Sequence, residues 1–371
     1  MRVGVIGVNG IGQAHLWALR QVPDSSVTAV CDVDAERAQK AARDHDVAAF
    51  TDAKALFGSG DVDAVVVATP PGTHGDLVRE ALDAGLHVYC EKPIAPTADE
   101  GYALARHAAE RDRVLAVGFQ FRHHKGYAAA VAAVAEVAPV TRVQLNATNW
   151  FRAQAYYEAS AWRRTWSVAG GGVLMSQAIH QLDLLVWLAG MPKTVCARVR
   201  RARHEAEVED DATALLEWDG GATGVLVASL NDPTGHERVE VVGERGVVTL
   251  TDGFEVRVTH HDPAQQLCEE CPDEFPLLEL APQPVGVERS PTEWIDMLVA
   301  AHRDFAGAAA TGRPPRVDAV EGSKAVELAN AMYLSSYLDE EVSLPLPRGE
   351  YPRLFEDLAT GAVPFPARDR F

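Results

Sequence analysis

The first third of the chain alternates between short, wholly apolar runs and longer stretches with helical spacing. The runs RVGVIG, SVTAVC, VDAVVVAT, LHVYC and VLAVGF read as strands buried on both faces. Helix-like patterns separate them at Gln13–Gln21, Ala35–Asp44, Gly75–Ala84 and Ala98–Arg111. This order predicts a doubly wound parallel sheet, an α/β domain over residues 1–121. The pattern then changes. A helix over Tyr127–Val137 leads into a strand, Thr141–Thr148, a loop dense in aromatics and arginine, and a helix over Val173–Leu188. Strands follow at Thr194–Arg203, Asp211–Trp218, Gly224–Leu230, Glu237–Val242, Val247–Leu250 and Phe254–Thr259. Turns such as Asp219-Gly220-Gly221 join them, which predicts a large, mostly antiparallel sheet in an α+β domain over 122–350. The Pro- and Glu-rich stretch His260–Arg289 reads as an irregular excursion, and helices over Pro291–Ala310 and Ala319–Leu338 close the domain. Residues 351–371 show no period and read as a tail.

A chain of 371 residues suits two domains of this kind. The formal charge of −19, from 34 basic and 53 acidic side chains, argues against nucleic acid or an anionic membrane as partner and favours a neutral small molecule. No apolar run is long enough to span a bilayer, and Met1-Arg2 leads straight into a strand, so a cytoplasmic protein is expected. The five cysteines then read as reduced thiols. Cys268 and Cys271 form a C-x-x-C near His260 and His261, but the spacing lacks a clear four-ligand pattern, and no metal is expected.

Candidate chemistry begins at the first strand. It runs into a turn made of Gly7, Asn9, Gly10, Ile11 and Gly12, and then into a helix. Such a turn lets a pyrophosphate approach the backbone and the free N–H groups at the helix start. Asn9 stands where the fuller motif has glycine, and asparagine tolerates positive φ better than most residues. Asp32 ends the second strand some 20 residues beyond Gly12, the spacing of a carboxylate that binds the ribose 2′-hydroxyl. These features predict a Rossmann site for NAD; Arg37 nearby keeps NADP as the lesser option. Thr69 and Pro70 follow the fourth strand, at the sheet end where cofactors bind, and His74 opens the next helix close to that site.

The segments GVNGIGQAH, ATPPGTH, AGLHVYCEKPIA and GGGVLMSQAIHQLDLLVWLAG together resemble the Gfo/Idh/MocA oxidoreductases, the family of glucose–fructose oxidoreductase and inositol dehydrogenase. The resemblance covers nearly the whole chain. It implies that Lys92, after the strand His87–Cys90, meets substrate and nicotinamide; that Lys92–Pro93 is a cis bond; and that Glu91 orients the site or touches the nicotinamide ribose. Ser176, His180 and Asp183 are spaced to share one helix face. The family often has Asp where this chain has Ser176, which leaves His180 without that carboxylate. The catalytic pair expected is Lys92 and His180, since an imidazole titrates near working pH. Ser176 and Asp183 are expected to bond the substrate. So are Arg152, Tyr157, Trp162 and Arg163 of the aromatic loop, with about half of that loop's rings going to the core. Gln120 and Arg122 point to the same cleft by position.

The activity expected is hydride transfer between NAD and a secondary hydroxyl or keto group of a sugar, anhydro-sugar or cyclitol, by a homodimer or homotetramer. An NAD-assisted glycoside hydrolase and a non-catalytic sugar or NAD sensor are the alternatives.

Overall fold

The computed structural model describes residues 1–251, 255–286 and 290–365. In chain order, the first domain holds strands β1 (Arg2–Ile6), β2 (Ser26–Cys31), β3 (Ala48–Phe50), β4 (Ala64–Val67), β5 (His87–Cys90) and β6 (Leu115–Val117). Helices α1 (Ile11–Leu19), α2 (Ala35–His45), α3 (Ala53–Phe57), α4 (His74–Asp83) and α5 (Ala98–Glu110) cross between them. The strands pair in parallel in the order β3-β2-β1-β4-β5-β6. The order reverses direction at β1/β4, which places a crevice beyond the carboxyl ends of those strands. Ala64, Val65, Val66 and Val67 are all fully buried, as strands covered on both faces require. Strand β3 and helix α3 escaped the sequence pattern because three and five residues are too few to show a period.

The chain continues through α6 (Lys125–Val137), β7 (Val140–Ala147), α7 (Gln154–Glu158), α8 (Trp166–Ala169), α9 (Val173–Ser176) and α10 (Ile179–Ala189). Strands β8 (Thr194–Arg200), β9 (Asp211–Glu217), β10 (Thr223–Ser229), β11 (Glu237–Gly243), β12 (Gly246–Thr251) and β13 (Glu255–His260) follow. The remaining elements are α11 (Ala264–Glu270), β14 (Gln283–Pro284), α12 (Glu293–Thr311), α13 (Ala319–Leu338), β15 (Val342–Ser343) and α14 (Glu350–Thr360). Phe254, expected to open β13, lies outside the described residues. Nine strands form the second sheet, in the order β14-β13-β12-β11-β7-β10-β9-β8-β15. All neighbours are antiparallel except β7 and β10. Strand β9 alternates cleanly: Ala212, Ala214 and Leu216 are buried, while Thr213, Leu215 and Glu217 face outward.

Three sequence expectations change. The helix expected over Val173–Leu188 is broken at Gln177-Ala178, and the segments Trp166–Ser176 and Ile179–Ala189 meet at a 53° bend. The stretch after residue 350 is no featureless tail: α14 buries Tyr351, Leu354 and Leu358. The division also differs from a cut at 121. One compact unit comprises Met1–His123, Ser167–Gly170 and Arg289–Val326; the other comprises His124–Trp166, Gly171–Glu288 and Glu327–Phe371. Helix α12 therefore belongs with the parallel sheet. Its Leu298 and Val299 pack on Ala18 and Val22, and its Ala301 and Phe305 join the core of Val3, Val5, Leu16 and Tyr89. The period of α12 reveals an apolar face but not which sheet receives it.

Candidate active site

In the first unit, the turn after β1 is built by glycines where side chains do not fit. Gly7 has φ 83°, and a Cβ there would lie 2.6 Å from the Ala68 carbonyl oxygen. A Cβ on Gly12 would overlap the Gly7 carbonyl, so α1 starts hard against the turn. Positive φ falls on Gly10 (51°) and not on Asn9, contrary to the reason expected for an asparagine there. Asn9 Oδ1 instead accepts from Gly10 N (2.9 Å), and its carbonyl accepts from Gly12 N (3.0 Å). Asn9 and Gly10 are exposed, and a Cβ on Gly10 would meet nothing within 4 Å. This open cradle at the start of a nine-residue helix fits a pyrophosphate.

Asp32 is 7% exposed, its Oδ2 accepting from Val8 N (3.1 Å) and its Oδ1 from Asp34 N (3.0 Å). Arg37 reaches Asp32 Oδ1 at 3.2 Å and Asp34 Oδ2 at 3.4 Å. Arg37 is thus engaged by carboxylates.

Thr69 and Pro70 are partly buried at the end of β4, where Thr69 Oγ1 contacts Thr73 Oγ1 at 2.7 Å. His74, expected close to the cofactor, is enclosed by backbone. It is 1% exposed, with Nδ1 2.8 Å from the Pro93 carbonyl and Nε2 2.8 Å from that of Thr69. Burial holds its pKa below the ordinary value, against those two acceptors. A neutral ring has one N–H, so it donates to one of these carbonyls and lies against the other, between the β4 loop and the Lys92–Pro93 step.

The Lys92–Pro93 bond is cis. Lys92 is partly buried, and burial lowers its pKa while Glu91 opposes the shift. Glu91 is 5% exposed and takes Lys92 N on Oε2 at 3.2 Å. Burial acts to raise the Glu91 pKa, but the hydrogen bond from His15 and the contacts with His15, Lys92 and His74 outweigh it, holding the carboxyl below its usual range. Gln120 and Arg122 are each 4% exposed on the turn after β6; Arg122 pairs with Glu321 at 3.1 Å, and Arg316 donates to its carbonyl at 3.0 Å.

In the second unit, Gly172 and the two residues after it are organised by a residue that the sequence reading did not single out. Glu209 is fully buried and accepts from Gly172 N (2.7 Å), Leu174 N (2.9 Å) and the Tyr333 hydroxyl (2.8 Å). A Cβ on Gly172 would overlap the Glu209 carbonyl. Burial pushes the Glu209 pKa up to about 7 in spite of these donors. The acidic run Glu209-Asp210-Asp211 at a strand start was the signal available, since buried carboxylates need such partners.

Ser176 ends α9, and its Oγ donates to the Gly172 carbonyl (2.5 Å) and contacts Gln177 Oε1. Because the helix breaks there, Ser176 does not share one continuous face with His180 and Asp183, which sit one turn apart on α10. His180 is partly buried and Asp183 is 1% exposed. Gln177 Nε2 donates to the Tyr156 hydroxyl at 3.0 Å. The guanidinium of Arg163 lies 4.5 Å from the Tyr156 ring centre and that of Arg152 lies 5.3 Å from it; Arg163 is also 5.6 Å from Trp162. The aromatic loop therefore presents a cation–ring cluster tied through Gln177 to Ser176. Two of its rings are core: Trp166 is 2% exposed and Tyr157 1%, the latter packed on His204. Tyr157, expected to bond the substrate, is packed among core residues in this structure. His204 bridges Asp210 and the Arg152 carbonyl, both at 2.8 Å, and pins the loop.

Among the described residues, no group of three or more His, Cys, Asp or Glu could hold a metal ion, and no single helix is long and apolar enough to cross a membrane.

A 3-2-1-4-5-6 parallel sheet with this cradle and strand-end carboxylate defines a dinucleotide-binding enzyme class. The family models agree. Residues 1–119 match the oxidoreductase family with the NAD-binding Rossmann fold, and residues 127–249 match the GFO/IDH/MocA C-terminal domain. The chain belongs to the Gfo/Idh/MocA oxidoreductases. It is 32% identical over 261 residues to inositol 2-dehydrogenase 3 of Saccharopolyspora erythraea, covering 68% of this chain and 73% of that one. It is 29% identical over 350 residues to D-xylose 1-dehydrogenase (NADP(+)) 2 of Haloferax volcanii, covering 93% of this chain and all of that one. The WlbA dehydrogenase of Bordetella pertussis, solved with NADH and UDP-GlcNAcA, superposes with a TM-score of 0.79 at 26% identity, covering 93% of this chain and 99% of that one.

Proposed function

We propose that the protein oxidises a secondary hydroxyl of a sugar, anhydro-sugar or cyclitol with NAD, or runs the reverse reduction. The observation that carries this is the Glu91-Lys92-Pro93 step: a partly buried lysine with a lowered pKa, ending the strand next to the cofactor crevice. The inositol and xylose dehydrogenases among the relatives support the substrate class.

NAD, when bound, supplies the hydride acceptor. Gly7, Asn9, Gly10, Ile11 and Gly12 would hold its pyrophosphate, with Thr69 and Pro70 beside it. Asp32 would hold the ribose 2′-hydroxyl, and Arg37, already paired with Asp32 and Asp34, is not offered to a 2′-phosphate. As the alcohol becomes a ketone it loses a proton as well as a hydride. In our reading Lys92 Nζ hydrogen-bonds the reacting oxygen and the His180 imidazole takes its proton. Ser176, Asp183, Arg152, Trp162 and Arg163 bind the remaining hydroxyls and ring faces, and Gln120 and Arg122 shape the cofactor side. We further propose a cytoplasmic homodimer or homotetramer.

The test is nicotinamide absorbance with a panel of free sugars, anhydro-sugars and inositols, each offered NAD and NADP. NADH formation with one class, lowered about 1,000-fold in Lys92→Met while NAD still binds, is the expected outcome. Cleavage of a nitrophenyl glycoside without net NADH would overturn the reading.

A further inference from the structure

Arg152 and Arg163, both partly buried, carry their charge into the aromatic loop between β7 and α8 without meeting a carboxylate. Each guanidinium lies against the Tyr156 ring, and Arg152 also sits 5.4 Å from the centre of the Trp150 ring. A neighbouring segment is bound to this loop: Gln154 Oε1 accepts from Glu205 N (2.9 Å), and the Arg164 carbonyl accepts from Glu207 N (2.8 Å). The carboxylates on the loop and this segment, Glu158, Glu205 and Glu207, make no ion pair with either arginine. Glu207 Oε2 accepts from Trp166 N instead. A fold with 53 acidic side chains leaves these two cations unanswered, although burying part of a charge without a counter-charge is unfavourable.

The donor inventory shows what is left over. A guanidinium has five N–H donors in a planar fork, which matches the paired oxygens of a carboxylate or phosphate. Elsewhere in the chain the Nε–Nη2 edge takes that role. Arg2 places Nε (3.2 Å) and Nη2 (2.6 Å) on Asp63 Oδ1, and Arg257 places Nε (3.1 Å) and Nη2 (2.7 Å) on Glu255 Oε1. Arg152 and Arg163 use only Nη1. That of Arg152 donates to the carbonyls of Phe151 (3.1 Å) and Trp150 (3.5 Å), and that of Arg163 to the carbonyl of Tyr156 (3.1 Å). Their Nε and Nη2 groups have no acceptor among the described residues.

The platform beneath them is fixed. The Tyr156 hydroxyl accepts from Gln177 Nε2 (3.0 Å), and its ring meets that of Tyr157, which is 1% exposed, edge-on at 5.2 Å. Gln177 contacts Ser176 and lies three residues before His180, so the two cations stand beside the helix break that carries those groups. We propose that the sugar or cyclitol carries an anionic group, a carboxylate or a phosphate ester, and that Arg152 and Arg163 bind it from the Tyr156 ring. This deepens the dehydrogenase reading above and rests on it for the rest of the substrate. A hydroxyl offers these edges a neutral acceptor; an anionic oxygen gives hydrogen bonds roughly twice as strong.

The test titrates inorganic phosphate into protein saturated with NAD, so that the cradle before α1 is filled. Trp150 and Trp162, each beside one guanidinium, report binding by fluorescence. A saturable response with half-saturation in the millimolar range is expected, weakened at least about tenfold in Arg152→Gln/Arg163→Gln. Arg152→Lys/Arg163→Lys keeps the charge but loses the fork; it should be weakened less, and it carries the comparison if the Gln variant does not fold. D-glucuronate and D-glucose 6-phosphate should each displace the phosphate, the stronger of the two naming the group, while D-glucose at the same concentration does not. No saturable response, an equal response in wild type and the folded variants, failure of both anionic sugars to displace it, or displacement by D-glucose as effective as theirs overturns the proposal. An arginine-dependent response in a protein that reduces NAD with no sugar, acidic or neutral, removes the dehydrogenase reading and leaves the anion site standing.

Discussion

Glu209 shows how one side chain can govern stability over a pH range. A carboxyl with a folded pKa of about 7, against an ordinary 4.5, binds its proton more tightly in the folded chain. Its contribution is fully present below pH 4.5 and is lost as pH rises through about 7, a decline of about 3 kcal/mol. Glu209→Gln cannot titrate, so it should flatten this slope. Its amide also sets N–H against N–H at Gly172 or Leu174, which costs about 1–3 kcal/mol. Urea midpoints at pH 5 and pH 8 check both effects; equal pH slopes in the two proteins would refute the assignment. The same scale shows what residue type alone conveys. Lys92 and Asp32 were legible because their chemistry is rare at strand ends. His15, His302 and Glu209 were not, because buried histidines and carboxylates carry no periodic signal and their partners are distant in sequence.

At the scale of elements, the turn between β1 and α1 depends on close approach more than on flexibility. Gly12 has no Cβ because the Gly7 carbonyl occupies that space. Gly12→Ala should push α1 away from the turn and weaken NAD binding at least about tenfold, measured by fluorescence quenching. Wild-type affinity in that variant would show that the cradle tolerates a side chain. The break between α9 and α10 is an element-scale fact of the opposite kind. The apolar spacing of Val173–Leu188 continues through it, so the sequence reads as one helix. Two bonds to the Glu209 carboxylate, from Gly172 N and Leu174 N, fix the entry into α9, and the Ser176 side chain bonds back to the Gly172 carbonyl.

At the scale of the molecule, the second sheet leaves apolar side chains uncovered in this chain. Leu215 on β9 is 60% exposed, and its cross-strand partner Val225 on β10 is 40% exposed, with Cys196 of β8 on Leu215's other side. Outward Leu and Val on adjacent strands suit contact with another copy. Light scattering is expected to return a dimer or tetramer mass; a monomer at micromolar concentration would sink that expectation.

By itself the sequence determined the parallel sheet, the seven longer strands of the second sheet within a few residues, the nucleotide cradle with its acidic partner, and the Glu-Lys-Pro step. Each of these is written in local order, as a run of apolar residues, a period of two, or a short motif whose spacing follows from backbone geometry. Tertiary structure alone decided that α12 covers the parallel sheet, that Tyr157 is core, that His74 is buried between two backbone carbonyls, and that His302 stands behind Glu91 through His15. Those outcomes depend on which surfaces bury each other across hundreds of residues, and an apolar face or a histidine carries no address for its partner.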